Sequence, residues 1–220
     1  VAATAGHTTI LLDTNSTVLQ KAEAGLKATF SKLVEKGKYT AERSTEIISK
    51  IKFSSSLMDF ATCDLIIEAI VEDLTVKQNV FAEIESIVTP DCIIASNTSS
   101  LSITSIAAAC SHPSRIIGIH FFNPAPLMPL VEVIPGITTD ESLSDKIKTL
   151  LTGWGKSVVI AKDTPGFIVN RLARSYYGES IRIHEEGWEG IPAGQQGFAT
   201  IDWALKEVGG FKMGPFELMD

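Results

Sequence analysis

Short runs of consecutive apolar residues alternate along the chain with longer stretches in which apolar residues recur every three or four positions. The first pattern marks strands covered on both faces, the second helices with one buried stripe. Val1 to His7 read as the end of a helix closed by Gly6. Thr8 to Asp13 follow as a β-branched strand, and Asn15 or Ser16 caps a helix to about Lys36 with Val18, Leu19, Ala22, Leu26, Phe30 and Leu33 in helical register. A second helix starts after Thr40 and runs over 41–50, and a strand is expected at Ile51–Phe53. Then come a strand at Asp64–Ile70, a helix at Leu74–Ile87, a strand at Cys92–Ser96, a short helix from Ser102 to Ala109 and strands at Ile116–Ile119 and Leu130–Ile134. A helix at Glu141–Thr152 and a strand at Ser157–Ile160 complete the alternation. Strands alternating with helices predict an α/β fold with a parallel, doubly wound sheet. From the turn cluster Asp163-Thr164-Pro165-Gly166 onward the pattern becomes helical, at Phe167–Glu186 and Phe198–Val208, with a Gly-rich loop over 187–197. The expected domains are therefore 1–162 and an all-helical 163–220.

Composition narrows this picture. With 220 residues, 45% apolar and 20% charged, the chain supports a full core and is neither disordered nor fibrous. A net charge of −7 argues against a general binder of nucleic acid or anionic membranes and leaves room only for a local basic patch that binds an anion. Cys63, Cys92 and Cys110 lack CxxC spacing and read as buried thiols, with no metal site and no disulfide frame. No apolar run reaches the roughly 18 residues of a membrane helix, and the N-terminus shows no basic start leading into an apolar stretch.

Doubly wound sheets hold dinucleotides on a glycine loop after their first strand. No GxGxxG occurs in the 220 residues, yet Val1 to His7 resemble the tail of the helix such a loop would open. The first strand and its loop are expected to be absent from this sequence. Asp13, closing the next strand, stands where an acid grips the adenosine ribose, or is simply a solvated strand end.

Strand C-termini line the ligand crevice of such sheets, and His120 lies at one of them. Glu132 follows 12 residues later, beyond a turn holding Pro124, Pro126 and Pro129, so imidazole and carboxylate can meet across neighbouring strands. A carboxylate partner fixes the tautomer and raises the basicity of a histidine that removes a hydroxyl proton. The competing reading is a surface or satisfied core histidine, which His7, His112 and His184 keep. The hydroxyl and amide cluster Ser96-Asn97-Thr98-Ser99-Ser100 either bonds a ligand oxygen or only caps the next helix. Asn170 stands one turn into a helix, facing a cleft or solvent. Glu68 and Glu72 flank the end of a buried strand, as crevice acids or as acids favouring a helix N-terminus. Lys27, Lys32, Lys36 and Lys38 form a phosphate patch or a wet helix face.

Five linked motifs resemble the L-3-hydroxyacyl-CoA dehydrogenase family: Ser96-Asn97-Thr98-Ser99-Ser100-Leu101, Gly118 to Pro124, Leu130 to Ile134, Asp163 to Arg171, and Met213 to Leu218. The resemblance implies a Rossmann-type domain followed by a partial helical C-terminal domain. It implies oxidation of a (3S)-3-hydroxyacyl-CoA to a 3-oxoacyl-CoA with NAD as cofactor. His120 would be the base, Glu132 its orienting acid, and Ser99 and Asn170 the donors to the reacting oxygen. Asp13, Glu72, Lys77 and Asn97 would bind NAD; Ser99, Asn123, Asn170, Thr29 and Lys36 would contact the acyl-CoA. The family implies a homodimer, no nucleic-acid partner, and a place in the bacterial cytoplasm or the mitochondrial matrix. Departures from the pattern are the absent glycine loop, an end at Asp220 where relatives continue, and a longer loop at Trp188–Gln196. A non-catalytic relative, or a piece of a multifunctional β-oxidation polypeptide, are the alternatives.

Overall fold

A computed structural model describes residues 1–219. Its order is β1 (Thr9–Leu12), α1 (Ser16–Glu35), α2 (Ala41–Ser49), β2 (Ile51–Ser54), β3 (Leu65–Glu68), α3 (Leu74–Ile87), β4 (Ile93–Ser96), α4 (Ile103–Ala107), β5 (Ile116–Phe121) and β6 (Leu130–Pro135). There follow α5 (Glu141–Gly153), β7 (Ser157–Ile160), α6 (Val169–Glu185), α7 (Gln195–Glu207) and α8 (Pro215–Met219). The chain divides into two compact units, the first ending at Thr164 and the second beginning at Pro165.

Local chemistry sets the helix starts. Asn15 caps α1 by accepting from the amides of Thr17 and Val18, Thr40 caps α2, Asp73 caps α3 and Ser102 caps α4. Before β1, the His7 amide donates to the Ala2 carbonyl and the Gly6 amide to that of Ala3, with Gly6 at φ 103°. This pair of bonds is the glycine-closed helix end expected from the sequence.

The first unit differs from one continuous parallel sheet in two respects. β1 and β2 form a parallel two-stranded sheet of their own, and β3-β4-β5-β6-β7 form a second. In the larger sheet β3, β4 and β5 are parallel, but β6 runs antiparallel to β5, with β7 parallel to β6. The connection 122–129 explains the reversal, because a parallel crossover needs about a dozen residues or more. β1, expected to be covered on both faces, is only half-buried along its length. It has a single hydrogen-bonded neighbour among the described residues.

The main core lies under the larger sheet. Ile93, Ala95, Ile117, Ile119, Val131 and Val133 pack against Leu143, Ile147 and Leu151 of α5. On the other side of β5 a Cβ at Gly118 would come within 2.8 Å of the Ile103 side chain, so α4 can sit on the strand only over a glycine. A smaller core of Ala3, Phe30 and Ile47 holds α1 and α2 by β2.

The second unit is helical. Its α6 starts two residues later than the pattern predicted, and α7 begins at Gln195, so the helix takes up the end of the expected loop. Phe198 stacks on Phe216 at 4.3 Å, and Asp202 accepts from the amides of Phe216 and Glu217 at the start of α8.

Candidate active site

The C-terminal ends of β3, β4 and β5 carry Glu68, Ser96 and His120. His120, next to last in β5, pairs in register with Glu132 of β6. Facing residues of antiparallel strands bring their side chains together, and His120 Nδ1 lies 2.7 Å from Glu132 Oε2. Glu132 is fully buried and His120 is 6% exposed. The Phe122 ring packs 4.5 Å from the imidazole. A carboxylate can only accept, so Nδ1 carries the proton and the Nε2 lone pair belongs to the other side of the ring. The pair can move one proton at Nε2 while Glu132 offsets the charge that develops.

The loop after β4 is held from two sides. The Asn97 amide donates to the Glu68 carbonyl at 2.7 Å, and Asn97 Oδ1 accepts from the Phe121 amide at 2.9 Å. Asn97 therefore ties the ends of β3, β4 and β5 together. Glu72 Oε1 accepts from Thr98 Oγ1 at 2.5 Å and from the Ser99 amide at 2.9 Å, with Ser99 Oγ at 3.4 Å and Ser100 Oγ at 3.2 Å. Burial pushes the Glu72 carboxyl up, but the bonds from Thr98 and Ser99 and the Lys77 charge outweigh it and hold the group below its ordinary value. Ser99 is exposed beside these partners. Lys77, on α3, is 1% exposed, with Nζ 2.7 Å from Glu68 and 3.3 Å from Glu72.

The remaining candidates lie on other elements. Asp13 is half-exposed at the end of β1, its Oδ1 accepting from the Asn15 amide at 2.8 Å. Asn123 is exposed and precedes Pro124 through a cis peptide bond. Thr29 donates to the Gly25 carbonyl within α1 and lines a cavity of about 540 Å³ with Phe30, Leu33, Trp154 and Lys156. Lys36 is the exposed C-cap of α1, and Lys27 is paired with Glu23. Asn170 lies in the second unit, half-buried in the first turn of α6.

Two acids carry more than the sequence showed. Glu68 Oε1 accepts from the Ile70 amide as well as Lys77, and its Oε2 accepts from Ser96 Oγ. Asp163 accepts from the amides of Ile103 and Thr104 and from the hydroxyls of Ser102 and Thr104 at the start of α4. The signal for Glu68 is an acid ending an apolar strand nine residues before a lysine. The partners of Asp163 lie about sixty residues away, and no local pattern announces them.

The groups present suit a dinucleotide in their chemistry: a carboxylate at Asp13 for ribose hydroxyls, and the Glu72, Ser99 and Asn97 cluster for an amide. No residue from 1 to 220 forms a GxGxxG phosphate loop. Among the described residues no cluster could hold a metal ion and no helix is long and apolar enough to cross a membrane. The cysteines form no disulfide; burial pushes the Cys92 and Cys110 thiols up to about 11.

Residues 1–164 match the family described as 3-hydroxyacyl-CoA dehydrogenase, NAD binding domain, and 166–220 match its C-terminal domain. The chain is 41% identical over 220 residues to 3-hydroxyadipyl-CoA dehydrogenase of Escherichia coli K12, covering all of this chain and 45% of that protein. It is 42% identical over 231 residues to rat mitochondrial hydroxyacyl-coenzyme A dehydrogenase, 70% of which it covers. The crystal structure of 3-hydroxybutyryl-CoA dehydrogenase from E. coli K12 superimposes with a TM-score of 0.93 at 41% identity, over 99% of this chain and 44% of that one. The chain thus spans less than half of the length of either E. coli match and 70% of the rat enzyme. On this match across both units, the chain belongs to the 3-hydroxyacyl-CoA dehydrogenase family.

Proposed function

We propose that the protein interconverts a (3S)-3-hydroxyacyl-CoA and a 3-oxoacyl-CoA with NAD. The observation that carries this reading is the buried His120–Glu132 pair at 2.7 Å. Bound NAD+ supplies the acceptor for the hydride leaving C3. His120 Nε2 takes the proton of the 3-hydroxyl as the carbonyl forms. Glu132 fixes the tautomer beforehand and stabilises the imidazolium afterwards, and in reduction the same imidazolium returns the proton. Ser99 Oγ is assigned to the reacting oxygen, where a fixed donor acts on changing charge. Asn170 is given the same oxygen on its motif, Gly166 to Arg171, alone. Asp13 is assigned to the adenosine ribose, Glu72 and Asn97 to the nicotinamide half, and Asn123, Thr29 and Lys36 to the acyl-CoA. Two relatives at 40–41% identity are named for 3-hydroxyadipyl-CoA and 3-hydroxybutyryl-CoA, which supports a 3-hydroxyacyl thioester as the substrate class.

The test uses the natural full-length protein with acetoacetyl-CoA and NADH. Absorbance of NADH falls in the wild type, and His120→Gln or Glu132→Gln slows the fall by at least about 10²-fold. An inactive wild type, or two variants as fast as wild type, would contradict the proposal.

A further inference from the structure

Glu68 is a buried carboxylate that no step above requires. It ends β3 at 5% exposure, and both of its oxygens are engaged. One set of contacts runs through Lys77, whose Nζ lies 2.7 Å from Glu68 Oε1, 3.3 Å from Glu72 Oε2 and 3.4 Å from the Ile70 carbonyl. The other runs through Ser96, which donates to Glu68 Oε2 at 2.7 Å and accepts from the Thr98 amide at 3.2 Å. Both routes end on the loop after β4 and meet at Thr98. Glu72 holds Thr98, Ser99 and Ser100, and Ser96 holds the backbone of Thr98.

Stability alone is a poor reason to keep this arrangement. Desolvating a carboxylate and an ammonium costs several kcal/mol each, and apolar residues of like volume commonly do as well or better. What an apolar pair lacks is direction. Lys77 is shared between two carboxylates, so Glu72 is held without being drawn off the Ser99 amide. A charge network with every member bonded fixes one geometry.

We propose that Glu68 is a positioning residue of the dehydrogenase site, setting Ser99 through Lys77 and Glu72 and through Ser96. This inference rests on the function proposed above. Replacing Glu68 by Gln keeps the shape and removes the charge. Glu72 is then the one charged partner left to Lys77, and the Ser96 hydroxyl meets an amide donor where it met an acceptor. Ser99 then shifts off the position assigned to the reacting oxygen.

The test is a cycle of Glu68→Gln, Ser99→Ala and the two combined, in the full-length protein with acetoacetyl-CoA and NADH. Circular dichroism is followed alongside. Each single variant is expected to lower kcat roughly tenfold with the circular dichroism spectrum unchanged, and the combined variant to be no slower than Ser99→Ala, because the two act as one unit. Losses that multiply, or a Glu68→Gln enzyme as fast as wild type, would overturn the role. If Glu68→Gln does not fold, Glu68→Gln/Lys77→Met removes both buried charges together and is measured against Ser99→Ala with the same criteria. A wild type without turnover would instead sink the dehydrogenase reading, and this inference with it.

Discussion

The two sheets of the first unit use similar apolar segments to different ends. In the larger sheet, Ile117, Ile119, Val131 and Val133 are fully buried between hydrogen-bonded neighbours and α5. In the smaller sheet, β1 is half-buried and, among the described residues, pairs only with β2, over a core that includes Ala3, Phe30 and Ile47. The chemistry is concentrated in the first. A buried imidazole–carboxylate pair needs neighbours that cannot move, because water entering the site would screen the charge the pair must share. β5 and β6 provide that setting. The end of β1 offers a half-exposed carboxylate, Asp13, which suits holding a hydroxyl in place and not acid–base work.

Substitutions at matched positions should separate the two sheets. Ile117→Ala, in the middle of the larger sheet, is expected to cost about 2–5 kcal/mol by removing buried methylenes and leaving a cavity. Leu11→Ala in β1 should cost roughly 1 kcal/mol, because half-buried surface contributes about half as much and the edge relaxes into the space. Urea unfolding of both variants measures the difference. Equal losses would erase the distinction between the sheets.

A smaller effect sharpens the polar side of the comparison. Glu72 is held below its ordinary value in the fold, so its stabilisation is present above the unfolded carboxyl value and is lost as pH falls through the folded one. The melting temperature of Glu72→Gln should lie below that of wild type at neutral pH, and the gap should close below about pH 4. With the Glu72 side chain 36% exposed, solvent screening keeps the gap small. A gap independent of pH would show that the Glu72 charge contributes nothing.

How much of this was legible in the sequence follows from how local each signal is. α3 spans Leu74–Ile87 and β7 spans Ser157–Ile160, the same bounds that periodicity and turn residues set. The meeting of His120 and Glu132 was readable from 12 residues of strand, turn and strand. The antiparallel direction of β6 was not read from apolar pattern, which is the same for either direction; only the short connection 122–129 carried it. The division into two sheets depends on which strands bond to which, and composition says nothing of that. The start of α7 was hidden because polar Gln195 and Gln196 fit a loop and a first helical turn equally well. The resemblance assigns Lys77 to the cofactor, yet the side chain is 1% exposed and engaged with Glu68 and Glu72, and Glu68, nine residues earlier, supplies the charge that allows it to be enclosed. Buried polar groups of this sort are paired in three dimensions and leave only faint traces in one.

The proton on His120 is the point on which the proposed chemistry turns. Nitrogen NMR of the labelled protein, at a pH where the ring is neutral, should show His120 as a single tautomer protonated at Nδ1 and losing that preference in Glu132→Gln. A wild-type ring protonated at Nε2 would place the proton on the atom that must receive one, and would contradict the assignment of His120 as the base.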